Sequence, residues 1–124
     1  VEGNNAVIVD ALIDLYKYKN GNEYMNDNKF KYMIAYFTNG LDMKKSKYYN
    51  DIKIIEKEYK KVINMFNSKF NDYYLSKPLA EFLIKDGKIY LSLRCYKGSK
   101  YGVLYIDYDF DNNTINNYEY IEVN

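Results

Sequence analysis

The stretch that decides the fold is residues 79–123, LAEFLIKDGKIYLSLRCYKGSKYGVLYIDYDFDNNTINNYEYIEV. Three short breaks divide it, at Asp86-Gly87, Gly98-Ser99 and Asn112-Asn113. Gly and Asn tolerate the positive φ angles that tight hairpin turns require. The stretch therefore predicts a meander of four antiparallel strands joined by three short turns.

The first two turns fix which residues face each other across the strands. Side chains alternate between the two faces of a strand, so a slip of one residue would move every side chain to the other face. Turns at Asp86-Gly87 and Gly98-Ser99 independently place the same apolar set on one face. The predicted cross-strand pairs are Ile84–Ile89, Phe82–Leu91, Leu93–Leu104 and Leu91–Ile106.

The fourth strand follows this pattern less directly. A two-residue turn at Asn112-Asn113 places Phe110 opposite Ile115, and Glu119 would then lie on the apolar face beside Ile106. A β-bulge near Asn116-Asn117 would return the carboxylate to the polar face. We therefore predict a bulge in the fourth strand.

Three amphipathic helices are predicted before the sheet. The first begins after Asn4 or Asn5, and its apolar positions at helical spacing are Ile8, Leu12, Leu15 and Tyr16. The second spans about residues 27–38, and its buried stripe is predicted to be Phe30, Met33, Ile34 and Phe37. The third begins at Asp51 and carries on one side Ile52, Ile55, Tyr59, Val62, Ile63, Phe66 and Phe70.

These patterns predict a single α+β domain over residues 1–124, with a helical part at about 4–75 and a sheet part at about 79–123. We expect about three N-terminal helices to pack on the apolar face of a curved four-stranded antiparallel meander. A chain of 124 residues can bury such a core without metal or disulfides. Cys95, the single cysteine, lies on the apolar face and is predicted to be a small buried hydrophobe rather than a reactive thiol.

The amino-acid composition argues against several classes of function. The chain has no His, which excludes a Ser-His-Asp triad, a Cys-His pair and a His-liganded metal site. The net charge of +1 argues against strong attraction to nucleic acid or anionic membrane, and no apolar run reaches the roughly 20 residues of a transmembrane segment. No motif indicates a cofactor or a catalytic residue. The first residue, Val1, suits the mature part of an exported protein or an excised domain.

The run from Asp107 to Asn112 offers oxygen ligands at positions 1, 3 and 5 of a calcium loop. The sixth position is Asn112 and the twelfth is Tyr118, where such a loop has Gly and Glu. The acidic residues also alternate with apolar ones, which is typical of a strand with one solvated face. We favour the strand and keep a weak cation site as the alternative.

The face of the sheet opposite the apolar set carries the candidate binding residues, which are Tyr90, Arg94, Tyr96, Tyr101 and Tyr105. Tyr and Arg are enriched at binding hot spots, so this face predicts contact with a protein partner or with a second copy of the chain. A small ligand is an alternative. Tyr is also simply a good strand residue. Stacking on RNA is disfavoured by the near-neutral charge and the single Arg.

Helices followed by a long antiparallel meander resemble the nuclear transport factor 2-like and cystatin-like α+β roll. The helix end VINMFNSKFNDYYL at residues 62–75 and the hairpin FLIKDGKIYLSL at 82–93 are also similar to small exported domains of low-GC bacteria, including inhibitors of peptidoglycan endopeptidases. This resemblance implies a non-catalytic binding role, dimerisation through the sheet and an extracytoplasmic location.

A second hypothesis follows from the same architecture. Rolls of this kind host enzymes and small-ligand-binding proteins that use a cone between helices and sheet, an argument from fold alone. In this chain Tyr108 or Glu119 would be the inward polar residue for acid–base work.

Overall fold

A computed structural model describes residues 2–76 and 79–123 and shows an α+β protein. Its helices are α1 (Glu2–Asn20), α2 (Asn28–Thr38) and α3 (Tyr49–Lys69), with a short 3₁₀ helix at Tyr24–Asn26. Its strands are β1 (Tyr73–Leu75), β2 (Glu81–Lys85), β3 (Lys88–Lys97), β4 (Lys100–Asp109) and β5 (Thr114–Glu122). The chain divides into two compact units, Val1–Lys60 and Lys61–Asn124, and α3 contributes residues to both.

Hydrogen-bonded aromatic side chains form much of the core of the first unit. Asp27 caps α2 by accepting the Phe30 N–H at 3.1 Å, and it also accepts the Tyr16 hydroxyl at 2.7 Å. The buried Tyr24 lies edge-on to Phe30 and donates to Asp51 in the first turn of α3 at 2.7 Å. Asp27, which caps α2, and Asp51, in the first turn of α3, thus join these helices to the elements before them.

The packed side of α1 differs from the side that its predicted apolar positions indicate. Ala6, Val9 and Ile13 are buried, whereas Ile8 and Leu15 are 64% and 52% exposed. The sequence is apolar on both sides of this helix, so spacing alone does not choose between them. The choice follows from Asp10 and Asp14 on α1, whose carboxylates contact the loop before α3.

The stripe predicted for α2 is correct at Phe30 and Ile34, which are buried. It is wrong at Phe37, which is 48% exposed near the end of the helix. In α3 the predicted stripe is largely buried, from Ile52 through to Phe70.

The predicted register of the central strands is confirmed. The four cross-strand pairs all occur, namely Ile84–Ile89, Phe82–Leu91, Leu93–Leu104 and Leu91–Ile106. Asp86 and Gly87 both have positive φ, 52° and 75°, as a two-residue type I′ hairpin turn requires. Leu91, Leu93 and Leu104 are buried on the inner face, by which we mean the face that carries these leucines.

The predicted count of four strands is wrong, because the open antiparallel sheet has five strands within the described residues. The additional strand β1 pairs with the end of β3, with Tyr74 opposite Tyr96, while β2 pairs with the beginning of β3. The two short strands therefore share one edge of β3. A three-residue strand is too short to show a periodicity of its own, which is why the sequence pattern missed it.

The predicted bulge in the last strand is confirmed, although the preceding turn is longer than expected. Residues 110–113 form the turn, so Ile115 lies opposite Tyr108 and not opposite Phe110 as predicted. The register then shifts next to Asp107, and Glu119 lies opposite Tyr105 on the outer face. The bulge keeps the carboxylate away from the apolar side of the sheet.

The C-terminal part of α3 covers the inner face within the second unit. The ring of Phe66 lies edge-on to that of Tyr108 with centroids 5.3 Å apart, and Phe70 lies edge-on to Tyr118 at 4.9 Å. Cys95 is fully buried, as predicted, and burial raises the pKa of its thiol. For α1 and α2 the predicted packing on the sheet stays a prediction, and so does the single domain.

Gly102 on the inner face of β4 has no room for a side chain. An added Cβ would lie 2.5 Å from Cζ of Tyr120 and 2.6 Å from the backbone carbonyl oxygen of Ile121.

We expect Gly102→Ala to lower the free energy of unfolding by about 1–3 kcal/mol, as overpacked cores do. Urea denaturation followed by circular dichroism measures this change. Ser99→Ala, in an exposed turn, is the control and should unfold like the wild type; equal midpoints for Gly102→Ala would refute the observed β4–β5 packing.

Candidate binding surface

The five predicted binding residues lie on the same side of the sheet, the outer face, opposite the buried leucines. Alternation along β3 and β4, with the observed register, brings Tyr90, Arg94, Tyr96, Tyr101 and Tyr105 to this face. They form two groups, one of Arg94, Tyr96 and Tyr101 and the other of Tyr90 and Tyr105. Tyr96 and Tyr101 are direct cross-strand partners with ring centroids 5.0 Å apart, and Arg94 lies one step further along the same strand pair.

The structure adds Tyr74 to this surface. Its position opposite Tyr96 in the β1–β3 pair places Tyr74, Tyr96 and Tyr101 side by side across three strands. Tyr74 is 75% exposed and Tyr96 is 41% exposed. Sequence reasoning missed Tyr74 because it missed β1. The turn residues Asn71-Asp72 followed by the strand-forming Tyr73-Tyr74-Leu75 were the signal that could have found it.

Aliphatic side chains extend the row of tyrosines towards the edge of the sheet. Val103 pairs with Ile121, and the Val123 N–H donates to the Tyr101 carbonyl oxygen at 2.9 Å, which continues the β4–β5 ladder. Ile121 and Val123 are 39% and 49% exposed. We call the combined surface the tyrosine patch, and it consists of Tyr74, Tyr96, Tyr101, Val103, Ile121 and Val123.

Arg94 borders the tyrosine patch and supplies a positive charge. It pairs with Val103, and its Nη2 lies 3.5 Å from Oε1 of Glu81. The Arg94 side chain is about half exposed, so this ion pair is screened by water and holds the guanidinium only weakly. Because a guanidinium has five N–H donors, Arg94 can bind an acceptor on a ligand while it keeps the contact with Glu81.

Tyr90 and Tyr105 lie outside the patch, in the polar half of the outer face. Tyr105 is opposite Glu119, and Nζ of Lys85 lies 5.5 Å from the Tyr105 ring centroid and 3.5 Å from Oε2 of Glu119. Tyr90 pairs with Leu83 of β2 and is only partly exposed. The predicted binding set therefore divides, and three of its five members border or form the tyrosine patch.

The two residues considered for acid–base chemistry do not lie together. Tyr108 is buried on the inner face, where its hydroxyl donates to Oδ1 of Asn113 at 2.9 Å and burial raises its pKa. Glu119 lies on the outer face, so its prediction as an inward residue is wrong. Of these two alternative candidates, Tyr108 is therefore the one that lies on the inner face.

The acidic run at the end of β4 serves the turn that follows it. Oδ1 of Asp109 accepts the N–H of Asp111 at 2.9 Å and that of Asn112 at 3.1 Å, and Oδ2 accepts the Asn112 side-chain amide at 2.8 Å. These hydrogen bonds lower the pKa of Asp109. Across residues 2–76 and 79–123, no group of three or more Cys, Asp or Glu side chains is arranged to hold a metal ion.

A second cluster of polar groups lies in the first unit, where α1 meets the loop before α3. Tyr48 donates to Asp14, Ser46 donates to Asp10 at 2.5 Å, and Nζ of Lys47 lies 2.6 Å from Asp14. Nζ of Lys17 lies 4.5 Å from the centroid of the Tyr48 ring. Burial and the hydrogen bond to Asp14 raise the pKa of Tyr48 to about 12. The phenol therefore keeps its proton at neutral pH and acts as a hydrogen-bond donor that holds the loop.

Comparisons of the chain with protein-family models, with curated proteins and with solved structures gave no match. In the absence of a match, the class of the chain is given by its fold, which is α+β with an open five-stranded antiparallel sheet in the described residues. The resemblance to nuclear transport factor 2-like and cystatin-like rolls stays a prediction. None of the helices among the described residues is both long and apolar enough to cross a bilayer.

The raised pKa of Tyr48 predicts a loss of stability at alkaline pH. An unfolded tyrosine ionises near pH 10, whereas folded Tyr48 keeps its proton up to about pH 12. The free energy of unfolding should therefore fall as the pH rises from about 10 to about 12, because only the unfolded state releases this proton there.

Urea denaturation at a series of alkaline pH values measures this effect. Tyr48→Phe should show a smaller dependence of stability on pH than the wild type in this range. Tyr18→Phe, at an 88% exposed position on α1, should leave the dependence unchanged. The same pH dependence in Tyr48→Phe and wild type would mean that Tyr48 does not hold its proton in this way.

Proposed function

We propose that this chain is a non-catalytic protein-binding domain that contacts its partner through the tyrosine patch and Arg94. The row of Tyr74, Tyr96 and Tyr101 across three strands is the observation that supports this proposal. Contiguous exposed apolar surface of this kind is typical of interaction sites. Tyrosine also offers a large contact area with few rotatable bonds, so little conformational entropy is lost when a partner binds.

The chemistry of the tyrosine patch indicates which chemical groups its partner should present. Its centre should be apolar, to cover the tyrosine rings and Ile121, and it should place a carboxylate or a carbonyl oxygen near Arg94. Self-association through the sheet, which the resemblance implies, would bring like charges of two Arg94 side chains towards each other at the border of the patch. A different protein with an acidic group therefore suits this surface better than a second copy.

Two parts of the proposal come from the resemblance alone. An extracytoplasmic location and a roll-type relationship are expectations that a determination of the native N-terminus and gene context would test. For the alternative, a roll-type enzyme, Tyr108 is the candidate that lies on the inner face, and Glu119 lies on the outer face.

Substitutions in the patch should weaken partner binding without unfolding the protein. Immobilised wild type and variants would be incubated with extract and culture medium of the source organism, and the retained proteins identified by mass spectrometry. The partner should be retained by the wild type and lost with Tyr74→Ala and with Arg94→Glu, since both side chains are largely or half exposed. Lys88→Ala, at the opposite end of β3, is the control and should retain it.

Titration calorimetry with the purified partner then measures the size of the effect. We expect Tyr96→Ala to lower the affinity at least about tenfold, because truncation of a central hot-spot residue costs about 2 kcal/mol or more. Equal affinity of wild type, Tyr74→Ala and Tyr96→Ala for every retained protein would refute the proposed surface.

A further inference from the structure

Helix α1 is apolar on two opposite sides, only one of which is covered within the first unit. Ala6, Val9 and Ile13 are at most 4% exposed. On the other side, Val7 and Ile8 are 67% and 64% exposed. A cluster of exposed apolar side chains on one side of a helix is typical of a site of contact. The outer side of α1 therefore has the composition of a contact surface.

The outer side of α1 and the end of α2 together form a groove. Its walls are apolar, with a cavity volume of about 500 Å³, and Asn5 is the polar residue of its lining. We call it the helical groove and define it by Ile8, Ala11, Leu12, Leu15, Phe37 and Leu41. Sites for small ligands normally include several polar groups that fix the ligand's orientation, and this groove offers almost none. An apolar occupant suits it best.

The spacing of the wall residues indicates that the occupant is a helix. Ile8, Leu12 and Leu15 stand at positions i, i+4 and i+7, the repeat by which one helix packs along another. Phe37, near the end of α2, and Leu41, which follows the helix, flank this stripe and widen it into a groove, as in surfaces that bind an amphipathic helix.

We propose that the occupant is α1 of a second copy of this chain, so that the protein forms a two-fold symmetric dimer through the helical groove. The charges on α1 support this choice. Asp10 and Asp14 are engaged by Ser46 and Lys47 of their own chain, away from the stripe. The exposed stripe is therefore uncharged, and pairing it with itself opposes no like charges.

The order of side chains along the stripe also suits antiparallel pairing of two copies. When the helices cross next to Ala11 and Leu12, Ile8 of each copy meets Leu15 of the other, as a two-fold interface requires. The small side chain of Ala11 at the crossing lets the two helices approach closely. Ile8, Leu12 and Leu15 of each copy thus line their own groove and also fill the groove of the other copy.

The size of the surface predicts a weak dimer. Complete burial of the exposed apolar side chains of the groove and of Val7 would remove on the order of 1,000 Å² from water in the two copies together, the lower end for a specific interface. We therefore expect a monomer–dimer equilibrium with a dissociation constant in the micromolar range.

Sedimentation velocity of the full chain over a range of concentrations tests this proposal. The wild type should shift from monomer to dimer as its concentration rises. Ile8→Glu and Leu15→Glu should raise the dissociation constant at least about tenfold, because each places two carboxylates in an apolar contact. Ile54→Glu is the matched control, since Ile54 is a 49% exposed helical isoleucine on α3 outside the groove, and it should dimerise like the wild type.

A second measurement does not depend on the introduced charge. Ala11→Cys should form a disulfide-linked dimer on mild oxidation because the two copies meet at this residue, whereas Ile54→Cys should not. Cys95 is buried and does not compete. Circular dichroism melts should show that all five variants stay folded, as expected for exposed positions on helices.

Several results would overturn the proposal. A wild type that stays monomeric at every concentration would do so, as would an Ile8→Glu variant that still dimerises. If Tyr96→Asp dissociated the dimer and Ile8→Glu did not, the dimer would form through the outer face of the sheet instead of the helical groove. A monomer that co-sediments with phosphatidylcholine vesicles, and loses this with Leu15→Glu, would assign the groove to a lipid surface.

Discussion

The pairing of β3 with β4 is the constraint on which the rest of the sheet depends. Leu93 lies opposite Leu104 and Leu91 opposite Ile106, and all four side chains are almost fully buried. Because alternate residues face opposite sides, the same register that buries these four also turns the tyrosines outwards. A slip of one residue would bury tyrosine hydroxyls and expose leucines. The surface proposed for binding is thus a consequence of how the core is paired.

Local chemistry explains why this part of the fold could be predicted from the sequence. The positive φ of Asp86 and Gly87 fixes one hairpin, and Gly98, at φ 65°, fixes the next. Two turns with defined lengths leave one register for the strands between them. The bulge before Glu119 was predictable for a related reason, since an unpaired carboxylate on the apolar face would cost more than a local break in the ladder.

The features that the sequence did not predict depend on contacts between distant residues. Tyr73–Leu75 becomes a strand because β3 continues beyond the end of β2 and leaves backbone groups for it to pair with. The packed side of α1 depends on Asp10 and on Ser46, which are 36 residues apart. Neither contact leaves a periodic pattern in the sequence. The missed tyrosine of the patch and the unexpected exposure of Ile8 both follow from such contacts.

The abundance of tyrosine does not by itself indicate a function, because position decides what each tyrosine does. Tyr48 donates to a carboxylate and keeps its proton, and Tyr108 fills the core below α3. Tyr74 has neither role, and its ring is open to solvent. The preference of tyrosine for strands explains why the residue is common in the sheet. It does not explain why three of them stand in one row beside the single arginine of the chain.

The two proposed surfaces differ in chemistry, and this difference separates their partners. The tyrosine patch carries the charge of Arg94 at its border, which disfavours a copy of itself and favours an acidic partner. The helical groove is uncharged and aliphatic, so it can pair with its own copy at no electrostatic cost. A dimer formed through the groove would carry two tyrosine patches. If both reach one multivalent target, a modest affinity at each patch becomes a much tighter overall attachment.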